Sequence, residues 1–219
     1  MERHFDLELE ELKHTILTMS GMVEEAINKA VTSLEKLSPE IANEVIQADT
    51  RIDRLENEID EKTIAFIVRN QPVAGDLRLI VMATKIGTDL ERMADLAVDI
   101  AERALELTGQ PLIKPLIDIP KLAHLAQKMT HESIESFITL DGELARAVRT
   151  QDDEADSLRD LVTRELTEII SRDCSVAARA IPLILVARHL ERICDHATNI
   201  AEAVVYVAEA KLIKHGEED

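Results

Sequence analysis

Pairs of carboxylates four residues apart recur along this sequence, and they are its residues best suited to chemistry. The pairs are Asp49 and Asp53, Glu91 and Asp95, Asp152 and Asp156, and Glu191 and Asp195. On a helix, side chains four residues apart share one face with Cβ atoms about 5–6 Å apart, where like charges are mildly destabilising. A hard cation that takes oxygen ligands reverses that penalty. Two such helices side by side are therefore expected to bind a divalent or ferric ion, with iron, magnesium and manganese as candidates.

An acidic pair alone is a weak indication, because solvated helix faces show the same spacing. The chain has 43 acidic residues, and a pair such as Glu56 and Asp60 has no evident counterpart. The eight carboxylates differ because they recur at matched places in both halves of the chain. Asp99 extends the second pair by one turn, but its counterpart is Asn199, so these two positions are secondary.

The recurrence reflects an internal repeat. Residues 89–102 read DLERMADLAVDIAE and residues 189–202 read HLERICDHATNIAE, with eight of fourteen positions identical at an offset of 100. Upstream, residues 49–55 align with residues 152–158 at an offset of 103. A heptad pattern repeats hydrophobicity but not acidic positions, so a duplication is the better explanation. It predicts pseudo-two-fold symmetry between the halves.

The elements that position these residues are predicted to be helices. Aromatic residues make up 2% of the chain, while Gly and Pro number six each, which suits an all-α protein. Ser38 followed by Pro39 is typical of a helix start, and Pro182 is expected to kink the last helix or to mark its beginning. The predicted helices lie near residues 4–36, 40–69, 75–107, 120–140, 143–171 and 175–213.

The stretch from Gly109 to Pro111, followed by Pro115 and Pro120, is the best candidate for a domain boundary, because Gly and Pro interrupt regular structure there. The predicted fold is two tandem three-helix bundles, one in residues 1–110 and one in residues 120–215. Six helices in two matching halves account for the repeat.

The heptad register predicts where the carboxylates point. Leu90 and Met93 lie on a seam whose spacings alternate between three and four residues. Glu91 and Asp95 then lie away from that seam, on the outer flank of the bundle. A cation bound there would be exchangeable, which suits sensing or docking.

One alternative is a purely structural helical protein with solvated acidic rows, and the other is a ferritin-like iron-binding or oxidase protein. Such a site needs inward-pointing Glu residues and a Glu-x-x-His motif on each of two helices. Glu11-x-x-His14 is one match, and its repeat position reads Lys121-x-x-His124. The register and the missing second motif both favour the surface site over the ferritin-like one.

Composition excludes several other classes. The formal net charge is −18, which disfavours nucleic-acid binding; it is compatible with binding cations or a basic partner and equally with solubility alone. The longest apolar run, from Ile181 to Ala187, is too short to span a bilayer, and the N-terminus lacks the features of a signal peptide. Cys174 and Cys194 do not indicate a disulfide framework. We expect a cytoplasmic, non-enzymatic protein without an organic cofactor, in which His189 and His196 are polar helix positions that could assist the second acidic row.

The repeated acidic segments resemble the PhoU family of phosphate-uptake regulators. The similarity extends over essentially the whole chain, and its clearest carriers are Asp89-Leu-Glu-Arg-Met-Ala-Asp95, Leu190-Glu-Arg-Ile-Cys-Asp195, Gln71-Pro-Val-Ala-Gly-Asp-Leu-Arg78 and the early segment from Leu12 to Met22. The resemblance implies two tandem three-helix bundles whose acidic motifs can bind metal, including iron at the surface. It assigns that role to the eight carboxylates named above.

The same resemblance implies a regulatory role and a set of partners. PhoU proteins are negative regulators of phosphate uptake and of the phosphate-starvation response. They couple a phosphate ABC transporter to a sensor histidine kinase, contacting the transporter's ATPase subunit and the kinase. No catalytic activity is implied, and a homodimer is expected because surface metal could join two protomers.

Overall fold

The computed structural model describes residues 2–209, and every regular element in that range is a helix. In chain order they are α1 (Glu2–Lys36), α2 (Pro39–Asn70), α3 (Ala74–Leu107), α4 (Asp118–Thr139), α5 (Gly142–Arg149), α6 (Asp152–Arg172), a one-turn 3₁₀ helix (Cys174–Val176) and α7 (Ala177–Glu209). The prediction of an all-α protein is confirmed. The predicted helix end at 213 and the domain limits at 1 and 215 lie outside the described residues.

The helices form two bundles that share one core. Helices α1, α2 and α3 pack against one another, and α4, α5 and α6 pack against α7. The halves meet where α3 contacts α7 and where α1 contacts α4. Each helix at this junction therefore faces its own counterpart, as the predicted pseudo-two-fold symmetry requires. Seam residues such as Leu90, Met93, Leu190 and Ile193 are fully buried.

The repeat is visible in the backbone at the first turn of each half. Leu37 and Leu140, 103 positions apart, have positive φ angles of 49° and 55°. In both turns the following residue donates its backbone N–H over 2.9 Å to a serine carbonyl five residues earlier, which closes a Schellman motif. That following residue, Ser38 or Asp141, then caps the next helix with its side chain. The predicted helix start at Ser38 is confirmed.

The middle helix of the second half differs from the prediction. A continuous helix was expected over residues 143–171, but α5 ends at Arg149 and α6 begins at Asp152. The Gln151 side chain between them donates to Glu132 Oε2 at 2.6 Å. Three acidic residues form the first turn of α6, where the helix dipole favours negative charge. The hydrogen bond to Glu132 and the acidic first turn stabilise a new helix start without Gly or Pro.

Pro182 does not mark the beginning of the last helix. Helix α7 begins at Ala177, after the 3₁₀ turn, and continues through Pro182 in its second turn. The proline is buried, so its ring contributes to the core while one intrahelical hydrogen bond is missing. Residues 2–209 contain no helix whose length and apolar character would let it cross a membrane.

Candidate metal centre

The four acidic side chains of the first half lie together where α2 packs against α3. We call this group, Asp49, Asp53, Glu91 and Asp95, the first carboxylate cluster. Burial raises the pKa of Asp49 to about 6, with further contributions from the charges of Asp53 and Asp95. Side chains from two helices thus feel each other's charge, as expected for adjacent acidic rows.

The pKa shifts of the α3 carboxylates show which further acidic side chains lie next to this cluster. Burial raises the pKa of Glu91, and the charges of Asp95, Glu56, Asp53 and Asp49 raise it further. The pKa of Asp95 is also raised, first by burial and then by Asp53 and Asp99. Glu56 and Asp99 therefore border the first carboxylate cluster.

No nearby base offsets this negative charge. Among the described side chains, those of residues 4–209, no lysine, arginine or histidine nitrogen lies within 4.0 Å of the four carboxylates. Asp49, Asp53 and Glu91 are half-buried and Asp95 is exposed, so a cation in solution has access. Carboxylate oxygens are the ligands that hard cations prefer. The donor set of the first half therefore fits a divalent or ferric ion.

In the second half, the equivalent group of Asp152, Asp156, Glu191 and Asp195 forms the second carboxylate cluster. Burial raises the pKa of the Cys194 thiol, and the charges of Asp152, Asp195 and Glu191 raise it further. Asp152, Asp195 and Glu191 therefore lie close to Cys194 on α7. Burial raises the pKa of Glu191 in turn, and the charges of Asp195 and Asp156 raise it further. The thiol itself is buried and points to no separate chemistry.

An arginine occupies the second carboxylate cluster. Arg159 Nη1 donates to Asp156 Oδ1 at 2.6 Å and also to Glu191 Oε1, so one guanidinium bridges α6 and α7. Its Nε donates to Asp160 Oδ1 at 3.0 Å. Hydrogen bonding to Asp160, followed by the charges of Glu191 and Asp156, raises the pKa of Arg159. As it stands, the second carboxylate cluster does not suit a metal ion, because a protein cation already occupies Asp156 Oδ1 and Glu191 Oε1.

Asp152 is also in a different setting from its counterpart. It is the first residue of α6, where free backbone N–H groups and the helix dipole favour an anion. Thr198 Oγ1 donates to Asp152 Oδ1 at 3.4 Å. Asp49 instead lies ten residues inside the unbroken helix α2, without these compensating groups.

The eight predicted carboxylates thus form two groups of four, one in each half. None of them is buried in the core; Asp95 and Asp156 are exposed and the other six are half-buried. This agrees with the flank position expected from the heptad register and gives no support to an inward-facing ferritin-like site. Among the side chains that the structure describes, in residues 4–209, no group of three or more His, Cys, Asp or Glu is arranged to hold a metal ion.

The sequence did not predict the role of two histidines. His196 Nδ1 lies 2.9 Å from Asp89 Oδ1, and His189 Nδ1 lies 3.6 Å from Asp99 Oδ2. Both pairs join α3 to α7, so these histidines contact the first half and not their own acidic row. Burial lowers the pKa of His189, while the charge of Asp99 opposes that shift. The available signal in the sequence was that His189 stands where the first half has Asp89, at the start of the repeated segment.

Comparison with known proteins matches both halves. The family model of the PhoU domain matches residues 16–104 and again residues 119–204. The chain is 44% identical to the phosphate-specific transport system accessory protein PhoU homolog of Aquifex aeolicus, over 95% of this chain and 94% of that one. It is 34% identical to the homolog of Pseudomonas aeruginosa, over 98% of this chain and 89% of that one.

Solved structures agree with these sequence matches. The crystal structure of PhoU from Pseudomonas aeruginosa superposes with a TM-score of 0.91 at 35% identity, covering 94% of this chain and all (100%) of that one. A phosphate transport system regulatory protein PhoU from Streptococcus pneumoniae gives a TM-score of 0.89 at 25% identity, over 96% and 99% of the two chains. The similarity thus extends over both bundles and the junction between them.

Proposed function

This chain belongs to the PhoU family, and from that premise we propose that it is an accessory regulator of phosphate transport. In this proposal it is a negative regulator of phosphate uptake and of phosphate-starvation signalling. The observation that carries the proposal is that both halves match the PhoU domain, within a chain 44% identical to an accessory protein over nearly the full length of both. A regulatory role without catalysis accords with the name of that relative.

The proposed partners are the ATPase subunit of a phosphate ABC transporter and a phosphate-sensing histidine kinase. The chain has a net charge of −18, which favours a basic docking surface on a partner. Its longest helices have 32 to 35 residues, which gives an elongated surface of about 50 Å at 1.5 Å per residue. We place the protein in the cytoplasm, where it would reach the inner faces of both membrane partners.

The proposal includes a metal ion at the first carboxylate cluster. Asp49, Asp53, Glu91 and Asp95 would hold it, and Glu56 would add negative charge beside them. A bound iron, magnesium or manganese ion supplies positive charge that offsets the repulsion among these carboxylates. A metal at this surface could also join two protomers, and a homodimer belongs to the proposal.

Deletion and complementation test the regulatory role. Cells without this chain are expected to express phosphate-starvation genes in abundant phosphate, and the intact chain is expected to restore repression. A starvation-gene reporter measures both strains at high and low phosphate. Unchanged repression in the deletion strain, with phosphate uptake also unchanged, would contradict the proposal.

Affinity capture tests the partners separately. The tagged chain is expected to retain the ATPase subunit and the kinase from cells grown in high phosphate, with less retained after growth in low phosphate. The charge-reversed variant Glu61→Arg, altered on an exposed part of α2, serves as a control for non-specific ionic capture. Recovery of neither protein from crosslinked cells would contradict the coupling role while leaving repression to be judged by the reporter.

A further inference from the structure

One position breaks the match between the two carboxylate clusters. The offset of 103 that aligns Asp49 with Asp152 and Asp53 with Asp156 also aligns Glu56 with Arg159. The halves therefore carry opposite charges at the same place on their middle helices. This exchange lies one turn after the second aspartate of each pair, on the face that meets the third helix.

Each of these two residues reaches the cluster of its own half. Glu56 adds its charge to Glu91 and accepts a hydrogen bond from Thr88 Oγ1 at 3.1 Å. Arg159 donates to Asp156 and Glu191, the counterparts of Asp53 and Glu91. The exchange thus changes the charge within the clusters and not on a distant surface.

As a consequence, the two clusters differ in whether a protein side chain offsets their negative charge. The first half brings five carboxylates together with no base within 4.0 Å among the described residues. The second half has four carboxylates, two of which, Asp156 and Glu191, are paired with the guanidinium of Arg159. The Glu191 side chain is 14% exposed and that of Arg159 27%, so this ion pair is partly shielded from water. Charge-assisted hydrogen bonds of this kind are about twice as strong as neutral ones.

We propose that Arg159 is the built-in cation of the second half, so that the chain binds exchangeable metal only at the first carboxylate cluster. This rests on the metal-binding part of the proposed function. A metal ion entering the second cluster would have to displace the guanidinium from Asp156 and Glu191. The first cluster has no such competitor. The duplicated motif therefore gives one metal-dependent half and one half whose structure does not depend on metal.

Exchanging the two charges tests this directly. Mn²⁺ is titrated into the full chain by isothermal titration calorimetry, with the bound metal counted after equilibrium dialysis. As a single substitution in the otherwise wild-type chain, Glu91→Gln is expected to remove bound Mn²⁺, whereas Glu191→Gln is expected to leave it unchanged. Glu56→Arg is expected to weaken binding about tenfold or more, because it places a competing cation beside the first cluster.

The reciprocal variant is the more demanding test. Arg159→Glu is expected to create a second set of bound Mn²⁺ ions, and this gain is expected to vanish when Glu191→Gln is added. Arg159→Gln provides the same test if the glutamate variant does not fold, and circular dichroism verifies helical content. Arg164→Glu and Glu61→Arg are matched controls, because they make the same charge changes at exposed positions.

The outcomes separate this inference from the function on which it rests. Equal loss of Mn²⁺ from wild type with Glu91→Gln and with Glu191→Gln would overturn the asymmetry while leaving metal binding intact. The absence of any additional Mn²⁺ in either Arg159 variant would also overturn it. If the wild type bound no Mn²⁺ and no ferric ion, both the asymmetry and the metal part of the proposed function would fall, whereas the reporter assay would still decide the regulatory role.

Discussion

His196 Nδ1 lies 2.9 Å from Asp89 Oδ1, and this contact joins helices from opposite halves of the molecule. The two side chains are 12% and 6% exposed, so the pair lies within the junction between α3 and α7. The offset of 100 relates Asp89 to His189 and His196 to Leu96, and Leu96 has no polar group with which to repeat the contact. His189 Nδ1 instead lies 3.6 Å from Asp99 Oδ2. The junction is thus less symmetric than the bundles it joins. Asp89 Oδ2 has no hydrogen-bond partner in the described structure, which makes the carboxylate depend on His196.

Removing His196 is expected to weaken the junction. His196→Leu, which copies the residue at position 96, should lower the free energy of unfolding by about 1–3 kcal/mol, because it leaves a buried carboxylate unpaired. Urea denaturation measures this loss. Adding Asp89→Leu should recover much of it, since no unpaired charge then remains. His124→Leu, at an exposed position, should change stability by less than about 0.5 kcal/mol; equal losses in the two histidine variants would contradict the role of the pair.

Asp49 gives the metal-free protein a characteristic pH dependence. Its pKa of about 6 in the folded state is above the ordinary value of 3.8, mainly because of burial. The folded state therefore holds a proton that the unfolded chain releases. The stabilisation from this proton is complete below about pH 4 and is lost as the pH rises through about 6.

The substitution Asp49→Asn tests that dependence. It should raise the unfolding free energy at pH 7 by about 1 kcal/mol, a value reduced from the full shift because the side chain is only partly buried. The gain should disappear near pH 4. Urea denaturation in the presence of a chelator at several pH values measures it, with the exposed Asp153→Asn as the control. A gain of the same size at pH 4 and pH 7 would show that the negative charge of Asp49 is not its cause.

Metal binding is expected to stabilise the folded chain. At a free Mn²⁺ concentration of about 100 times its dissociation constant, the gain should be about 2.7 kcal/mol for one site. Thermal unfolding with Mn²⁺, and again after chelation, measures the shift and its reversal. Glu91→Gln and Asp95→Asn should reduce the shift, whereas Glu61→Gln should leave it unchanged. A shift that survives both cluster variants would place the ion elsewhere.

The two helix caps offer a comparison of equivalent turns. Asp141 Oδ1 accepts from the backbone N–H groups of Glu143 at 2.9 Å and Leu144 at 3.0 Å. Ser38 Oγ accepts from Ile41 at 3.4 Å. Replacement by alanine should cost about 1 kcal/mol at Ser38 and up to about 2 kcal/mol at Asp141. Chemical denaturation measures both. Ser38→Asp, which copies the second half, should retain full stability, and a loss as large as that of alanine would show that the two turns are not equivalent. Alanine variants as stable as the wild type would show that the caps contribute little.

Much of the fold could be predicted because its signals are local. Heptad spacing and the Ser38 cap depend on residues close in sequence, and each led to the correct element. The break before Asp152 was missed because it contains neither Gly nor Pro and depends on a contact between Gln151 and Glu132. Helix ends are set by such side-chain partners as often as by strong breakers.

For the candidate site, the sequence predicted the residues and their position on the flank but not their contacts with other helices. The repeat identified eight carboxylates, and the heptad register placed them on the flank, where the structure has them. The register could not show that Arg159 reaches across to Glu191 or that His196 pairs with Asp89. Those contacts join residues 32 and 107 positions apart, and their existence depends on how two helices are rotated and spaced.

The sequence by itself determined an all-helical, duplicated chain with matched acidic rows, because helical periodicity and residue type are properties of short segments. Only the tertiary structure decided which row is offset by a protein cation and which is not. That outcome depends on distances of a few ångströms between side chains on different helices, and the Coulomb energy that separates the two halves changes steeply over such distances.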